Sequence, residues 1–439
     1  MTPPDGPQAQ PKGLNRLGIA SPPDGPQAQP KGLNRLGSDA KLRARAARVV
    51  PAGMWGHLDT RRLPAGYPQF FSRAQGGHIW DADGRRYVDL MCSWGPIVLG
   101  HHDPVVDAAA AAQAALGDCL NGPAPVMVEL CEALVDRVAH ADWAMLQKNG
   151  SDATTACVTI ARAATGRNTV LIARGSYHGA LPWCTPVPAG TTEADRANQL
   201  RFDYNDVASL EAAVAAAGTD LAAIIVTGFR HDNVVDQEMP SLAFAQAARR
   251  LCDRAGAALI IDDVRAGFRL HRGCSWERLG VDPDLSAWSK AVANGHPLAA
   301  VLGRDSLREA AARVFVTGSF WCAAVPMAAA VATLAEMDRI DLPAKLEALG
   351  GYLRAGMASL AQRHGVGLRQ SGPVAMPLWL FEGDADFEKG SAFCAAALQA
   401  GAYLHHRHNM FLNAAHTRAD IDTVLNAAQA GFSAIEAMA

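Results

Sequence analysis

An aspartate and a lysine occupy positions where, together, they could do chemistry. Asp262 ends the apolar run Ala258–Ile261, and Lys290 lies between a tryptophan and a loop that contains glycine and proline. A carboxylate at the end of a buried strand is costly unless a cation meets it, and a lysine in apolar surroundings can have the lowered pKa that imine formation requires. A cofactor with an aldehyde and a protonated ring nitrogen fits both groups. We therefore predict that Asp262 and Lys290 are catalytic and that the cofactor is pyridoxal 5'-phosphate (PLP).

Two further segments supply residue types that such a cofactor needs. Gly150 and Ser151 open a predicted helix, where backbone N–H groups, an unobstructed glycine and a hydroxyl can hold a phosphate. Tyr177 and His178 follow the apolar run Val170–Ala173, and an aromatic ring at the end of a strand can stack on a flat heteroaromatic ring. Each segment alone has an ordinary reading, as a helix cap or as core. Their coincidence with the acid and the lysine favours a cofactor site.

The residues after Asp262 extend this prediction to the substrate. Val264 lies on the same side of an extended chain as Asp262 and is predicted to support the cofactor ring, whereas Asp263 points the other way. A substrate carboxylate would need a planar, bidentate partner, which favours arginine, and Arg265 is a candidate. Other candidate arginines are Arg61, Arg62 and Arg230. The predicted substrate-contacting residues are Trp55, His57, Trp94 and Arg265.

Composition narrows the class of protein. The chain has 439 residues, of which 49% are hydrophobic and 19% charged, as in a globular protein with a large core. A formal net charge of −3 argues against nucleic-acid binding. No apolar stretch approaches the roughly 20 residues that span a bilayer, so no membrane partner is expected. With nine scattered cysteines and no apolar signal core, we predict a cytoplasmic protein with reduced thiols.

The chain divides into regions of different pattern. Residues 1–37 contain one Pro- and Gly-rich segment twice and are predicted to be disordered. Apolar strand-like runs then alternate with helical stretches, which predicts an α/β fold with a mostly parallel sheet covered by helices. From about Glu336 the pattern changes. We predict the N-terminal part of a small domain over residues 38–85, a large PLP-binding domain over 86–335, and the rest of a smaller α+β domain over 336–439.

These motifs resemble the class III aminotransferase family of PLP fold type I, especially its glutamate-1-semialdehyde aminomutase branch. The resemblance is carried by Ser93-Trp94-Gly95-Pro96, Tyr177-His178-Gly179, Asp262, Lys290 and Thr317-Gly318-Ser319-Phe320. It implies that Lys290 is the Schiff-base lysine and that Asp262 faces the pyridinium nitrogen. It also implies a homodimer with shared active sites, in which Ser319 reaches the neighbouring subunit's phosphate. The arginine that grips the substrate carboxylate in the aminomutases has no clear match in this chain.

The expected function is therefore PLP-dependent transfer of an amino group from a small amino compound, expected to bear a carboxylate, to a carbonyl acceptor. An intramolecular aminomutase acting on a different substrate is the first alternative. A racemase, a lyase and a non-catalytic PLP-binding protein are further alternatives. No metal is expected, because the cluster of His405, His406 and His408 lacks further ligands and a second shell of supporting groups.

Overall fold

The computed structural model describes residues 38–231 and 235–438, so the repeated segment predicted to be disordered lies outside it. The strands are β1 (Phe71–Gln75), β2 (His78–Asp81), β3 (Arg86–Asp89), β4 (Trp143–Gln147), β5 (Thr169–Ala173), β6 (Gln199–Phe202), β7 (Leu221–Thr227), β8 (Ala258–Asp262), β9 (Leu285–Trp288), β10 (Ala299–Gly303), β11 (Leu368–Ser371), β12 (Leu378–Phe381) and β13 (Ala402–Tyr403). The helices are α1 (Asp39–Val49), α2 (Pro104–Leu116), α3 (Val126–Arg137), α4 (Gly150–Thr165), α5 (Val207–Ala217), α6 (Leu242–Ala255), α7 (Arg308–Arg313), α8 (Ala324–Arg339), α9 (Leu342–Arg363), α10 (Glu388–Gln399) and α11 (Arg418–Glu436).

A seven-stranded sheet forms the centre, in the order β4-β10-β9-β8-β7-β5-β6. Only β10 runs antiparallel to its neighbours. Alternate residues of its inner strands enter two hydrophobic clusters: Ile224 and Ile261 pack towards α5 and α6, and Ile225 and Ile260 pack towards α4. Burial on both faces explains why these strands are continuous apolar runs. The predicted mostly parallel sheet covered by helices is confirmed.

Both ends of the described chain meet in a second, smaller sheet. Its four strands lie in the order β1-β2-β3-β13, and β13 pairs in parallel with β3. Helices α10 and α11 pack against this sheet and against each other, and β11 and β12 form a separate antiparallel pair. The predicted smaller α+β unit built from both chain ends is therefore present. Its sheet includes β3, which lies just beyond the predicted limit at residue 85, and the domain limits stay a prediction.

In the part of the chain that the structure describes, no helix is both long enough and apolar enough to cross a membrane.

Candidate active site

A cavity of about 390 Å³ opens at the carboxyl ends of the parallel strands of the central sheet. Ligands of open α/β sheets bind at this edge, and the volume lies within the range of small-molecule sites. Eight residues predicted from the sequence line it together: Gly150, Ser151, Tyr177, His178, Asp262, Val264, Arg265 and Lys290. The sheet brings them together because each follows or ends a strand, or begins the helix after one.

Asp262 and His178 form a buried pair in this cavity. His178 Nδ1 lies 2.7 Å from Asp262 Oδ2, and the backbone N–H of Val264 donates to Oδ1 at 3.1 Å. The carboxylate is thereby held in one orientation at the end of β8. Asp263, by contrast, accepts a hydrogen bond from the backbone N–H of Ser275 at 2.7 Å and is not among the cavity-lining residues.

Lys290 lies two residues after the end of β9, in a strained backbone conformation. Its φ of 49° is left-handed, which costs a non-glycine residue energy and is found preferentially at functional sites. Asn294 holds the following turn, because its Oδ1 accepts hydrogen bonds from the backbone N–H groups of Val98 and Leu99 at 2.9 Å each. The pKa of Lys290 lies well below its ordinary value, first because the amine is desolvated and then because Arg265 and a second buried arginine place positive charge nearby.

The start of α4 provides a tight cradle. Asn149 caps the helix, with its Oδ1 accepting from the backbone N–H of Asp152 at 3.1 Å. A Cβ at Gly150 would stand 2.7 Å from the Val264 side chain, so only glycine fits between the helix and β8. The Ser151 hydroxyl accepts a hydrogen bond from a backbone N–H at 3.0 Å. Backbone N–H groups at such a helix start favour a phosphate.

The chemistry of the cavity lining fits PLP. The buried Nε2 of His178 and the buried Nε of Arg265 have no hydrogen-bond partner in the described protein, although buried polar atoms normally have one. Asp262 offers negative charge, the cradle at Gly150 and Ser151 offers N–H groups, and Lys290 offers an amine of lowered pKa. These are the groups that a pyridine ring, a phosphate and an aldehyde need.

Of the arginines considered as partners of a substrate carboxylate, Arg265 lines the cavity. Arg61 instead forms a salt bridge with Asp59, with 2.6 Å between its Nη2 and Asp59 Oδ2. Arg265 is 7% exposed, and one end of its guanidinium donates to the side-chain oxygen of Asn409. Burial lowers its pKa to about 10, and the nearby Asp262 partly offsets this. Arg265 therefore remains a cation at neutral pH and points positive charge into the site.

The structure does not bring every predicted residue to the cavity lining. Trp55 is 62% exposed and is not among the lining residues. His57 and Trp94 lie next to the lining instead, with ring centroids 4.8 Å apart. Ser319 is exposed, and its neighbours line a different surface pocket beside β4. Within one chain, Ser319 is thus separate from the cavity that holds Lys290.

Sequence reasoning missed several residues that line the cavity, among them Lys148 and His231. Lys148 follows β4 directly, and burial lowers its pKa. Its position at the end of a strand was the available signal, but β4 reads as an ambiguous mixture of apolar and polar residues. His231 follows β7 within a segment that has no recognisable motif. Among the described residues, no group of three or more His, Cys, Asp or Glu side chains is placed to hold a metal ion.

The fold and the site define a PLP-dependent transferase, and comparison with known proteins identifies the family. The model for Aminotransferase class-III matches residues 63–427, so the chain belongs to the class III aminotransferases. The chain is 52% identical over 394 residues to the aminopentol aminotransferase of Sphingopyxis macrogoltabida, and the alignment covers 90% of this chain and 93% of that protein. It is 31% identical to the glutamate-1-semialdehyde 2,1-aminomutase of Laribacter hongkongensis, over 90% of this chain and 99% of that protein. The aminomutase relatives are thus more distant.

Comparison with solved structures supports the same assignment. The FumI protein of Sphingopyxis sp. MTA144, in its PLP internal aldimine form, matches with a TM-score of 0.90 and 51% identity, covering 90% of this chain and 96% of that one. An omega-transaminase from Sphaerobacter thermophilus has the same fold, with a TM-score of 0.83 at 24% identity over 92% of this chain and 99% of that one. The predictions of family, PLP fold type I, PLP as cofactor and aminotransferase activity are confirmed.

Proposed function

We propose that this aminotransferase takes the amino group of a hydroxylated aliphatic amine and passes it to a small keto acid, with Lys290, Asp262 and His178 as the central residues. The observation that carries the assignment of residues is the buried His178–Asp262 pair, 2.7 Å apart, in the same cavity as Lys290. The choice of donor is supported by the relative at 52% identity, whose name specifies an aminopentol. The sequence resemblance favours a donor that bears a carboxylate, whereas this proposal assigns the carboxylate to the acceptor.

Bound PLP supplies a protonated ring that accepts the electron pair left when the proton next to the amino nitrogen is removed. Asp262 would keep the ring nitrogen protonated, because its carboxylate is held by His178 and by the N–H of Val264. Gly150 and Ser151 would hold the phosphate at the start of α4. Tyr177, which is 42% exposed and lines the cavity, and Val264 would contact the ring.

Lys290 is the proposed general base and acid. Because desolvation and two neighbouring arginines lower its pKa, its amine is neutral at a pH where an ordinary lysine is charged. As a neutral amine, Lys290 would hold the aldehyde of the cofactor, and it could take up a proton from the substrate carbon and donate that proton again. Arg265 would hold the acceptor's carboxylate close to this amine.

The proposed assembly is a homodimer. Phe315 and Phe320, on either side of the Thr317–Ser319 segment, are 92% and 66% exposed, which is unusual for large apolar side chains of a monomer. Leu116 and Leu120 are also exposed. Asp118, which lies between them, accepts hydrogen bonds from the backbone N–H groups of Ala324 and Val325 and so connects this stretch to the one that follows Phe320. A partner covering this surface would bring its Ser319 to the neighbouring phosphate. We also propose that the protein is cytoplasmic and that its domains have the limits predicted from the sequence.

The test is a two-step absorbance experiment on the PLP-loaded protein. An aliphatic amine should abolish the visible band of bound PLP, and a keto acid added after removal of the amine should restore it. An aminomutase or a racemase would not need the added keto acid to recover the band. A Lys290→Ala variant should show neither step, and a band that amines leave unchanged would contradict the proposal.

A further inference from the structure

Three histidine rings meet Trp94 edge-on beside the lysine of the active site. They belong to His57, His405 and His408, whose centroids lie 4.8, 5.4 and 4.9 Å from that of Trp94. The group, called the Trp94 cluster below, adjoins the reacting centre: a Cβ built on Gly95 would stand 3.3 Å from Cδ of Lys290. None of the roles proposed above for cofactor binding or proton transfer uses these rings.

The backbone that carries Trp94 is strained. Cys92, Ser93 and Trp94 have φ values of 47°, 54° and 65°, three successive non-glycine residues in the left-handed region. A left-handed backbone conformation is costly for a residue that has a side chain. The turn is held by Asp89, whose Oδ1 accepts from the backbone N–H groups of Met91 and Cys92 at 2.9 Å each. Strain that the surrounding structure maintains is typical of a side chain whose direction matters for function.

The hydrogen bonds of two histidines fix which ring nitrogen carries the proton. His405 Nδ1 accepts from the backbone N–H of Arg407 at 3.0 Å, so in the neutral ring Nε2 is a donor. His408 Nδ1 lies 2.7 Å from the carbonyl oxygen of Asn409, which can only accept, so Nε2 is left as an acceptor. Burial lowers the pKa of His405 to about 3 and that of His408 well below its usual value, so both rings are neutral at physiological pH.

One donor and one acceptor on neighbouring rings match one kind of ligand group. The centroids of His405 and His408 are 5.9 Å apart. A hydroxyl both donates and accepts a hydrogen bond, whereas a carboxylate only accepts and an ammonium only donates. The face of Trp94 offers apolar contact to the carbon chain that bears the hydroxyl.

We propose that the Trp94 cluster is the binding site for a hydroxyl-bearing carbon chain of the amino donor, with His405 donating to the hydroxyl and His408 accepting from it. The inference rests on the proposed function and adds to it the residues that select the donor. The link between Arg265 and Asn409, which neighbours His408, places this site beside the proposed carboxylate site. The two substrates of the reaction would thus be recognised by adjacent but chemically different groups.

The experiment compares 2-aminohexane with its monohydroxylated derivatives as amine donors to the full-length, PLP-loaded protein. The wild type should convert at least one hydroxylated donor about tenfold more efficiently in kcat/KM, the order expected from hydrogen bonds to neutral groups. His405→Phe keeps an aromatic ring against Trp94 and should bring that ratio towards one. His405→Gln, whose amide can donate from the region of Nε2, should recover part of the ratio.

His364→Phe is the matched control, because this half-buried histidine stacks on Phe432 at the end of α9, away from the cavity. It should keep the wild-type ratio. Equal rates for hydroxylated and plain donors in the wild type, or an unchanged ratio in His405→Phe, would overturn the inference while leaving the proposed aminotransfer intact. No reaction with any amine would overturn the proposed function and this inference with it.

Discussion

At the scale of single residues, the site depends on charges that are buried close together. Arg265 and Arg269 are two buried cationic side chains close to the amine of Lys290, and Asp262 is the nearby acid that partly offsets their effect. Burial lowers the pKa of Arg269 to about 10, and this arginine also donates to the backbone oxygen of Gly95. Desolvation first, and then the positive charges of these two arginines, lower the pKa of the Lys290 amine.

The first prediction concerns the pH dependence of PLP uptake by the cofactor-free protein, which requires the neutral amine of Lys290. Arg265→Met removes a positive charge that lowers the pKa of Lys290, so that pKa should rise. Less neutral amine is then present at a given acidic pH, and the acid limb of the uptake rate should move to higher pH, slowing uptake several-fold on the acid side. Stopped-flow absorbance over a pH series measures this.

Arg265→Lys is the control for that series, since it retains a positive charge and should keep the acid limb near that of the wild type. An unshifted limb in Arg265→Met would show that Arg265 does not contribute to the lowered pKa of Lys290.

The sequence predicts that Asp262 and Lys290 lie in one site, but it does not predict the contacts of His405 and His408 with Trp94, for a physical reason. Asp262 and Lys290 follow strands, and a parallel sheet gathers such residues at one edge whatever the loops do. His405 and His408 contact Trp94 only because the loop after β13 folds onto the segment after β3. No local pattern encodes a contact of that kind.

At the scale of elements, the packing of α4 on β8 sets the position of the phosphate cradle. The helix start predicted at Gly150 and Ser151 agrees with the observed start of α4 at Gly150, because a capping box at Asn149 fixes it. Strand β9, which precedes Lys290, was not among the predicted runs. This strand contains a polar residue, Ser286, whose buried hydroxyl forms hydrogen bonds with His140 at 2.9 Å and with Trp288 at 2.7 Å.

The second prediction tests the close approach of α4 and β8. In Gly150→Ala the new methyl group would stand 2.7 Å from the Val264 side chain, so the helix start must shift and PLP affinity should fall by about tenfold or more. Adding Val264→Ala removes the atoms in contact and should restore part of the affinity. Equilibrium titration of the cofactor-free variants with PLP measures both effects.

Gly351→Ala in α9 serves as the control, because a Cβ there meets nothing within 4 Å. It should bind PLP like the wild type and gain up to about 1 kcal/mol of stability from helix propensity. If Gly150→Ala also binds normally, the cradle is not where the phosphate lies.

At the scale of the whole molecule, the prediction is that the active site needs a second copy of the chain. Phe320→Asp places a charge on the exposed surface next to Ser319 and should convert the dimer to monomer, with weaker PLP binding as a consequence. Analytical ultracentrifugation and a PLP titration on the same sample measure the two effects.

The control is Leu242→Asp, which places a charge on another exposed apolar side chain, 50% exposed at the start of α6. It should leave the sedimenting mass and the affinity for PLP unaltered. A wild-type protein that sediments as a monomer would remove the basis for a shared site.

The central claim is that Lys290 is the lysine that bonds to the cofactor, and the same cavity contains a second lysine that could do so instead. Lys148 also lines it, and burial lowers the pKa of Lys148 too. Reduction of the PLP-loaded protein with borohydride, digestion and mass spectrometry of the peptides decides between the two. The account predicts the added mass of reduced PLP on the peptide that contains Lys290. The same mass on Lys148, or on neither lysine, would contradict it.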